Sequence, residues 1–172
     1  MSVFPTKYLL DANIFVEAKN RYYGFDICPG FWDSISWQHE RSSLYSIDKV
    51  GDELKDGNDL LKNWVINKLP AEFFLSTEDT GISKTYGDTL AWVMAQPFSA
   101  AAKAEYAREA DGWLIAYAKS KGFALVTHEV LAPDVKRKVP IPNVCKQFGV
   151  RCINTFEMLR ELNTSFIWQQ PV

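Results

Sequence analysis

Residues 109–129, EADGWLIAYAKSKGFALVTHE, hold the two patterns that decide the fold. Across residues 113–118 nearly every side chain is apolar, which marks a helix buried on all sides. Gly122 closes that run, and a short β-forming segment follows before the polar Thr127, His128 and Glu129. A buried helix that feeds a buried strand is the closing half of a strand–helix–strand unit. Two acids bracket the pair, Asp111 just before the apolar run and Glu129 just past the strand.

Working outward, the same alternation recurs. TKYLL (6–10) reads as a short buried strand and NIFVEAKNRYY (13–23) as a helix. A Gly and Pro-Gly loop follows, then an amphipathic helix from about Phe31. SSLYSI (42–47) is a second strand, DKVGDELKDG (48–57) a short helix closed by Gly57, and NDLLKNWVINKL (58–69) a helix stopped by Pro70. EFFLS (72–76) is a short extended piece. Residues 78–121 read as helical, with breaks expected at Gly81, Gly87 and the Gln96-Pro97 step. A proline-bearing loop, a short helix at NVCKQFG (143–149), a strand at VRCIN (150–154) and a helix capped by Asn154 or Thr155 complete the chain. Strands separated by helices predict one α/β domain over residues 1–172, a doubly wound parallel sheet with helices on both faces.

Ligands of open parallel sheets bind beyond the carboxyl ends of the strands, where Asp11 and Glu129 fall. Asp11 either caps the helix after it or belongs to a site. In SIDKVGDEL, Ile47, Val50 and Leu54 share an arc of about 60°, and Glu53 lies about 60° from Val50, on the rim of that stripe. A salt bridge to Lys49 or Lys55 is the alternative role for Glu53. Asp111 has Ala107, Arg108, Leu114 and Ile115 as helical neighbours, so its charge needs a cap, Arg108 or a metal. Glu105 and Glu109 read as surface residues. Four acids, Asp11, Glu53, Asp111 and Glu129, converging on one sheet edge call for hard cations, Mg²⁺ or Mn²⁺, as one or two ions.

Composition narrows the classes. The chain has 172 residues, 47% of them hydrophobic, which supports a packed core. A formal charge of −2 argues against a simple DNA-binding module, though not against a nuclease rich in carboxylates. The three cysteines, Cys28, Cys145 and Cys152, have no C-x-x-C spacing, and with two histidines they point to buried free thiols in a reducing cytosol rather than to zinc. No apolar run reaches signal or membrane-span length, so a cytoplasmic protein is expected. No Walker or G-x-G-x-x-G motif is present. A receiver-like signalling domain would carry adjacent acids after its first strand, where this chain has Ala12 and Asn13.

YLLDANIF, IDKVGDEL, the 109–129 segment and VRCINTFEML, in this order and spacing, resemble a PIN domain. With YYGFDICPGFWDSI and PNVCKQFGVRCIN added, the whole chain resembles a PIN-like subfamily catalogued as a domain of unknown function. The resemblance implies a PIN-like fold, a Mg- or Mn-dependent endoribonuclease and the toxin of a bacterial toxin–antitoxin pair. Asp11, Glu53 and Asp111 match the three central acids, and Glu129 stands where many members have Asp, after Thr127. Asn13 matches a small polar residue that holds the first acid. Expected partners are an RNA substrate and an antitoxin protein, with a second copy of the chain as a further candidate. Lys136, Arg137 and Lys138 are candidate contacts to RNA phosphates, or simply loop charges. The aromatic YYGFDICPGFW (22–32) is either core or a surface for bases or a partner. An inert PIN-like scaffold that binds a protein or RNA is the alternative function.

Overall fold

The computed structural model describes residues 5–170. Strand β1, Tyr8–Leu10, leads through Asp11 into α1, Ala12–Glu17. Helix α2, Pro29–Glu40, then precedes β2, Leu44–Ile47. Two short helices, α3 at Asp48–Asp56 and α4 at Leu60–Lys68, lead to β3, Phe74–Leu75. Three helices follow in succession: α5 at Thr80–Ala95, α6 at Ala100–Arg108 and α7 at Asp111–Lys121. The chain continues with β4, Ala124–Val126, and α8, Ile141–Phe148. It closes with β5, Cys152–Ile153, and α9, Thr155–Glu161.

The five strands form one all-parallel sheet in the order β3-β2-β1-β4-β5. Strand order therefore reverses between β1 and β4, and the crevice at such a switch point is where doubly wound sheets bind ligands. Tyr8, Leu9 and Leu10 stand opposite Ala124, Leu125 and Val126, all buried. Both faces of this seam are covered, which is why these strands are apolar throughout rather than alternating.

Helix α7 carries the deepest packing. Leu114, Ile115 and Ala116 are fully buried, and the helix stops at Gly122, whose φ of 74° is the left-handed cap that glycine reaches without strain. The ring of Trp113 stacks on Tyr86 of α5 at 4.1 Å and 7°. Beside it, Gly112 lets the two elements approach: a Cβ there would lie 2.8 Å from Tyr86 Cε2 and 3.1 Å from Tyr106 Cε1.

Three local expectations change. Gly81 and Gly87 do not interrupt α5; only the Gln96-Pro97 step breaks the helical run, together with a further turn at residues 109–110. Helix α2 starts at Pro29, because proline suits a first helical turn, whose N–H has no partner anyway. The helix after Asp11 ends at Glu17 and widens into a π turn, Ala18–Tyr22, with Tyr23 N–H donating to Ala18 C=O at 2.7 Å. Asn154 is confirmed as a cap: it and Glu157 form a reciprocal capping box. Among the cysteines only Cys145 is buried; Cys28 and Cys152 are half-buried.

Replacing Gly112 by Ala should destabilise the fold by about 1–3 kcal/mol through overpacking against the two tyrosine rings. Thermal melting checks this, at roughly 2–4 °C per kcal/mol for a chain of this size. An unchanged melting temperature would mean that the rings yield freely.

Candidate metal centre

Four elements deliver acids to the carboxyl edge of the β1–β4 seam. Asp11 follows β1, Glu53 sits in α3, Asp111 opens α7 and Glu129 follows β4. All four line one cleft of about 240 Å³. The structure thus brings together every acid singled out from the sequence, and adds Glu105 and Glu109, read there as surface residues. The turn between α6 and α7 carries Glu109 inward; Glu105 stands exposed on the rim.

Asp11 occupies the N-cap position of α1, yet its side chain caps nothing. It is buried and accepts a hydrogen bond from Thr127 Oγ1 at 2.8 Å. That hydroxyl in turn accepts from Asn13 Nδ2 at 3.0 Å and from the Glu129 N–H at 3.1 Å. Its one proton is therefore directed at Asp11. The Asn13 side chain reaches Asp11 through Thr127, and its Oδ1 accepts from the His128 N–H at 3.1 Å, while the Asn13 backbone N–H favours the charged form of Asp11 directly. Asn13 and Thr127 thus act in series.

The remaining acids differ in how they are balanced. Glu53 makes no ion pair among the described residues. Lys49 lies over the Trp113 ring and Lys55 over Phe74, so the rim salt bridge is not formed. Arg108 pairs with Glu109 and leaves Asp111 without it. Glu129 is engaged at both oxygens: Oε2 accepts from the Ile141 N–H at the start of α8 at 2.7 Å, and Oε1 pairs with Lys138. A carboxylate at a helix N-terminus is favoured by the unpaired N–H groups there. Of the basic triplet only Lys138 reaches the cleft; Lys136 borders a separate groove with Trp92 and Phe98, and Arg137 is exposed.

Burial dominates the electrostatics. It pushes the Asp11 carboxyl up to about 6, with Thr127 pulling the other way and Glu129 and Glu53 adding repulsion. Asp111 is pushed up to about 8 by burial first, then by Asp11 and Glu129, with Lys138 opposing. Glu53 is raised by burial and by Glu109.

The donor set is all hard oxygen and suits Mg²⁺ or Mn²⁺. Tyr106, also on the cleft wall, is buried, and its hydroxyl is the one buried side-chain polar atom among the described residues without a hydrogen-bond partner. A bound water or ligand would satisfy it. As they stand, however, no three acidic, imidazole or thiol groups among the described residues are grouped closely enough to hold one ion. Glu105, Glu109 and Tyr106 are cleft residues that the sequence pattern does not reveal, and Lys138 is one that it left open between RNA contact and loop charge.

The model of the family described as a domain of unknown function, DUF4411, matches residues 8–166. The chain belongs to that family. The DUF4411 match takes in all six cleft acids, Thr127 and Lys138. Among curated proteins nothing matches the chain. No helix among the described residues is long and apolar enough to cross a membrane.

In chelator, stability should fall as pH rises. The folded state holds protons on Asp11 and Asp111 up to about 6 and about 8, whereas unfolded aspartates titrate near 3.9. Unfolding therefore releases protons across that interval, and the slope of stability against pH is negative. The melting temperature should drop from about pH 5 to about pH 8, and Asp111→Asn should flatten the drop. A wild-type profile that is level or rising over this interval would contradict the assignment.

Proposed function

We propose that this chain is a divalent-metal-dependent endoribonuclease of the PIN kind, acting in the cytoplasm as the toxin of a bacterial toxin–antitoxin pair. One observation carries the enzymatic part: Asp11, Glu53, Asp111 and Glu129, from four separate elements, line a single cleft at the switch point. Two of them resist ionisation there, so the cleft favours a cation. Bound by these residues, Mg²⁺ or Mn²⁺ would supply a Lewis acid that activates water and neutralises phosphoryl charge.

The chain's own groups then have distinct tasks. Asp11, held by Thr127, and Asp111, placed by the first turn of α7, are the two central ligands. Glu53, without an ion pair among the described residues, is a third. Glu129 is already engaged by Ile141 N–H and Lys138, so it orders the cleft wall and the loop before α8. The toxin role, with RNA as substrate and an antitoxin as partner, is supported by the PIN resemblance of the quoted motifs.

A second reading, an inert PIN-like scaffold that binds a protein or RNA, is favoured by a specific feature. Lys138 pairs with Glu129 inside the cleft and already offsets part of its charge. Cleavage of single-stranded RNA that requires Mn²⁺, and that is lost in Asp11→Asn, separates the two. Glu53→Gln should lower the rate by at least about tenfold and relieve growth arrest at equal expression, a loss of at least about 1.4 kcal/mol in the barrier term. Equal arrest by both proteins would return Glu53 to a structural role.

Lys138→Ala should tighten Mn²⁺ binding measured by calorimetry, because it removes a competing cation from the carboxylates. Affinity that is weaker or unchanged would show that the lysine does not compete with metal.

A further inference from the structure

The aromatic stretch at residues 22–32 divides between core and surface. Tyr23 stacks on Phe31 at 4.4 Å and Phe25 on Trp32 at 4.1 Å, and Trp32 Nε1 donates to the Tyr23 carbonyl at 2.7 Å, so these rings are structural. Tyr22 faces the other way. The π turn places it 49% exposed against His128, with ring centroids 5.6 Å apart and planes 29° apart. Phe156, at the first turn of α9 and 39% exposed, meets Tyr22 edge-on at 5.9 Å and 87°, and His128 at 6.4 Å and 63°. Two near-parallel rings and one perpendicular ring make an open corner.

This corner adjoins the acidic cleft. His128 directly precedes Glu129, and its N–H is held by Asn13, the residue that also orients Thr127. A groove of about 380 Å³ begins at His128 and Glu129 and runs past Phe156 to Asn154 and Glu157, so Glu129 borders both spaces. The polar groups beside Phe156 are already committed, since Asn154 and Glu157 satisfy each other in the capping box. His128 Nε2 is within 3.2 Å of Thr155 Oγ1. What remains on offer is chiefly ring surface, with the Tyr22 hydroxyl and His128 Nδ1 at its margin. That suits the flat π-face of a base.

We propose that Tyr22, His128 and Phe156 form a stacking corner for an unpaired nucleobase, in the strand whose phosphate lies at the acidic cleft. The proposal rests on the ribonuclease reading and adds to it a contact for the base, so the RNA segment at the corner is unpaired. A duplex keeps its bases stacked on one another and cannot present a face to the corner.

Fluorescence anisotropy with a labelled single-stranded RNA, in an Asp11→Asn background that halts cleavage, tests this. Tyr22→Ala and Phe156→Ala should each weaken binding about 5- to 100-fold, the range seen for loss of one base–aromatic stack. Tyr22→Phe should keep the affinity, and circular dichroism should report an intact fold in all three. A strand of abasic sugar phosphates of equal length should bind the parent and Tyr22→Ala alike. Equal RNA affinity of the parent and both alanine variants would overturn the corner while leaving the nuclease intact. Loss of abasic-strand binding in Tyr22→Ala would also overturn it, because the ring would then be serving the backbone or the fold. Absence of RNA binding by the parent, together with absence of metal-dependent cleavage by the wild type, would overturn the ribonuclease reading itself.

Discussion

Carboxylates that crowd where a dry parallel sheet ends repel one another and lose hydration, and the polar detail of this chain is organised around that constraint. Asp11 is the most buried of these acids, 5% exposed at the end of a buried strand. Three devices make the arrangement tolerable. The Thr127 hydroxyl gives Asp11 one directed hydrogen bond, the Lys138 ammonium enters from a loop to offset Glu129, and proton uptake by Asp11 and Asp111 removes charge where neither suffices. A divalent cation would do the work of all three at once.

The same constraint explains why the site draws on so many segments. Two acids on one strand would sit about 7 Å apart along the same face, and their side chains would still share one narrow approach. Here a strand end, a short amphipathic helix, a helix start and a second strand end each contribute one. Each carboxylate is consequently anchored by a different piece of core. Glu53 rides on the stripe of Val50 and Leu54, and Asp111 on the packing of Gly112 and Trp113 against Tyr86 and Tyr106.

Residues whose role follows from their own element were legible in the sequence. Asp11 and Glu129 follow strands recognisable by composition, and Glu53 is located by the arc of Ile47, Val50 and Leu54, all of which are buried. Residues whose role depends on how elements meet were not. Glu109 and Tyr106 face the cleft because α6 turns sharply into α7, and Lys138 does so because its loop folds back before α8. Gly81 and Gly87 looked like breaks because glycine disfavours helices by about 1 kcal/mol, but the burial of Ile82, Thr89 and Val93 along α5 outweighs two such penalties. The division between Tyr22 and Tyr23 was equally hidden, since a π turn has no marker in composition.

The central strand is also the first to be made. Tyr8–Leu10 finds β2 after some 36 residues, but its other neighbour, Ala124–Val126, lies 116 positions away. The hydrogen bond from Thr127 to Asp11 closes that same interval. As the ribosome releases the chain from its N-terminal side, Asp11 therefore emerges before its hydroxyl, its neighbouring acids and half its sheet, and lacks them until residue 127 has been added. A polypeptide terminated before residue 127 contains Asp11, Glu53 and even Asp111 but no means of assembling them. Whatever chemistry the cleft performs begins only after Thr127 has been added and has reached Asp11, a safeguard that comes from connectivity alone.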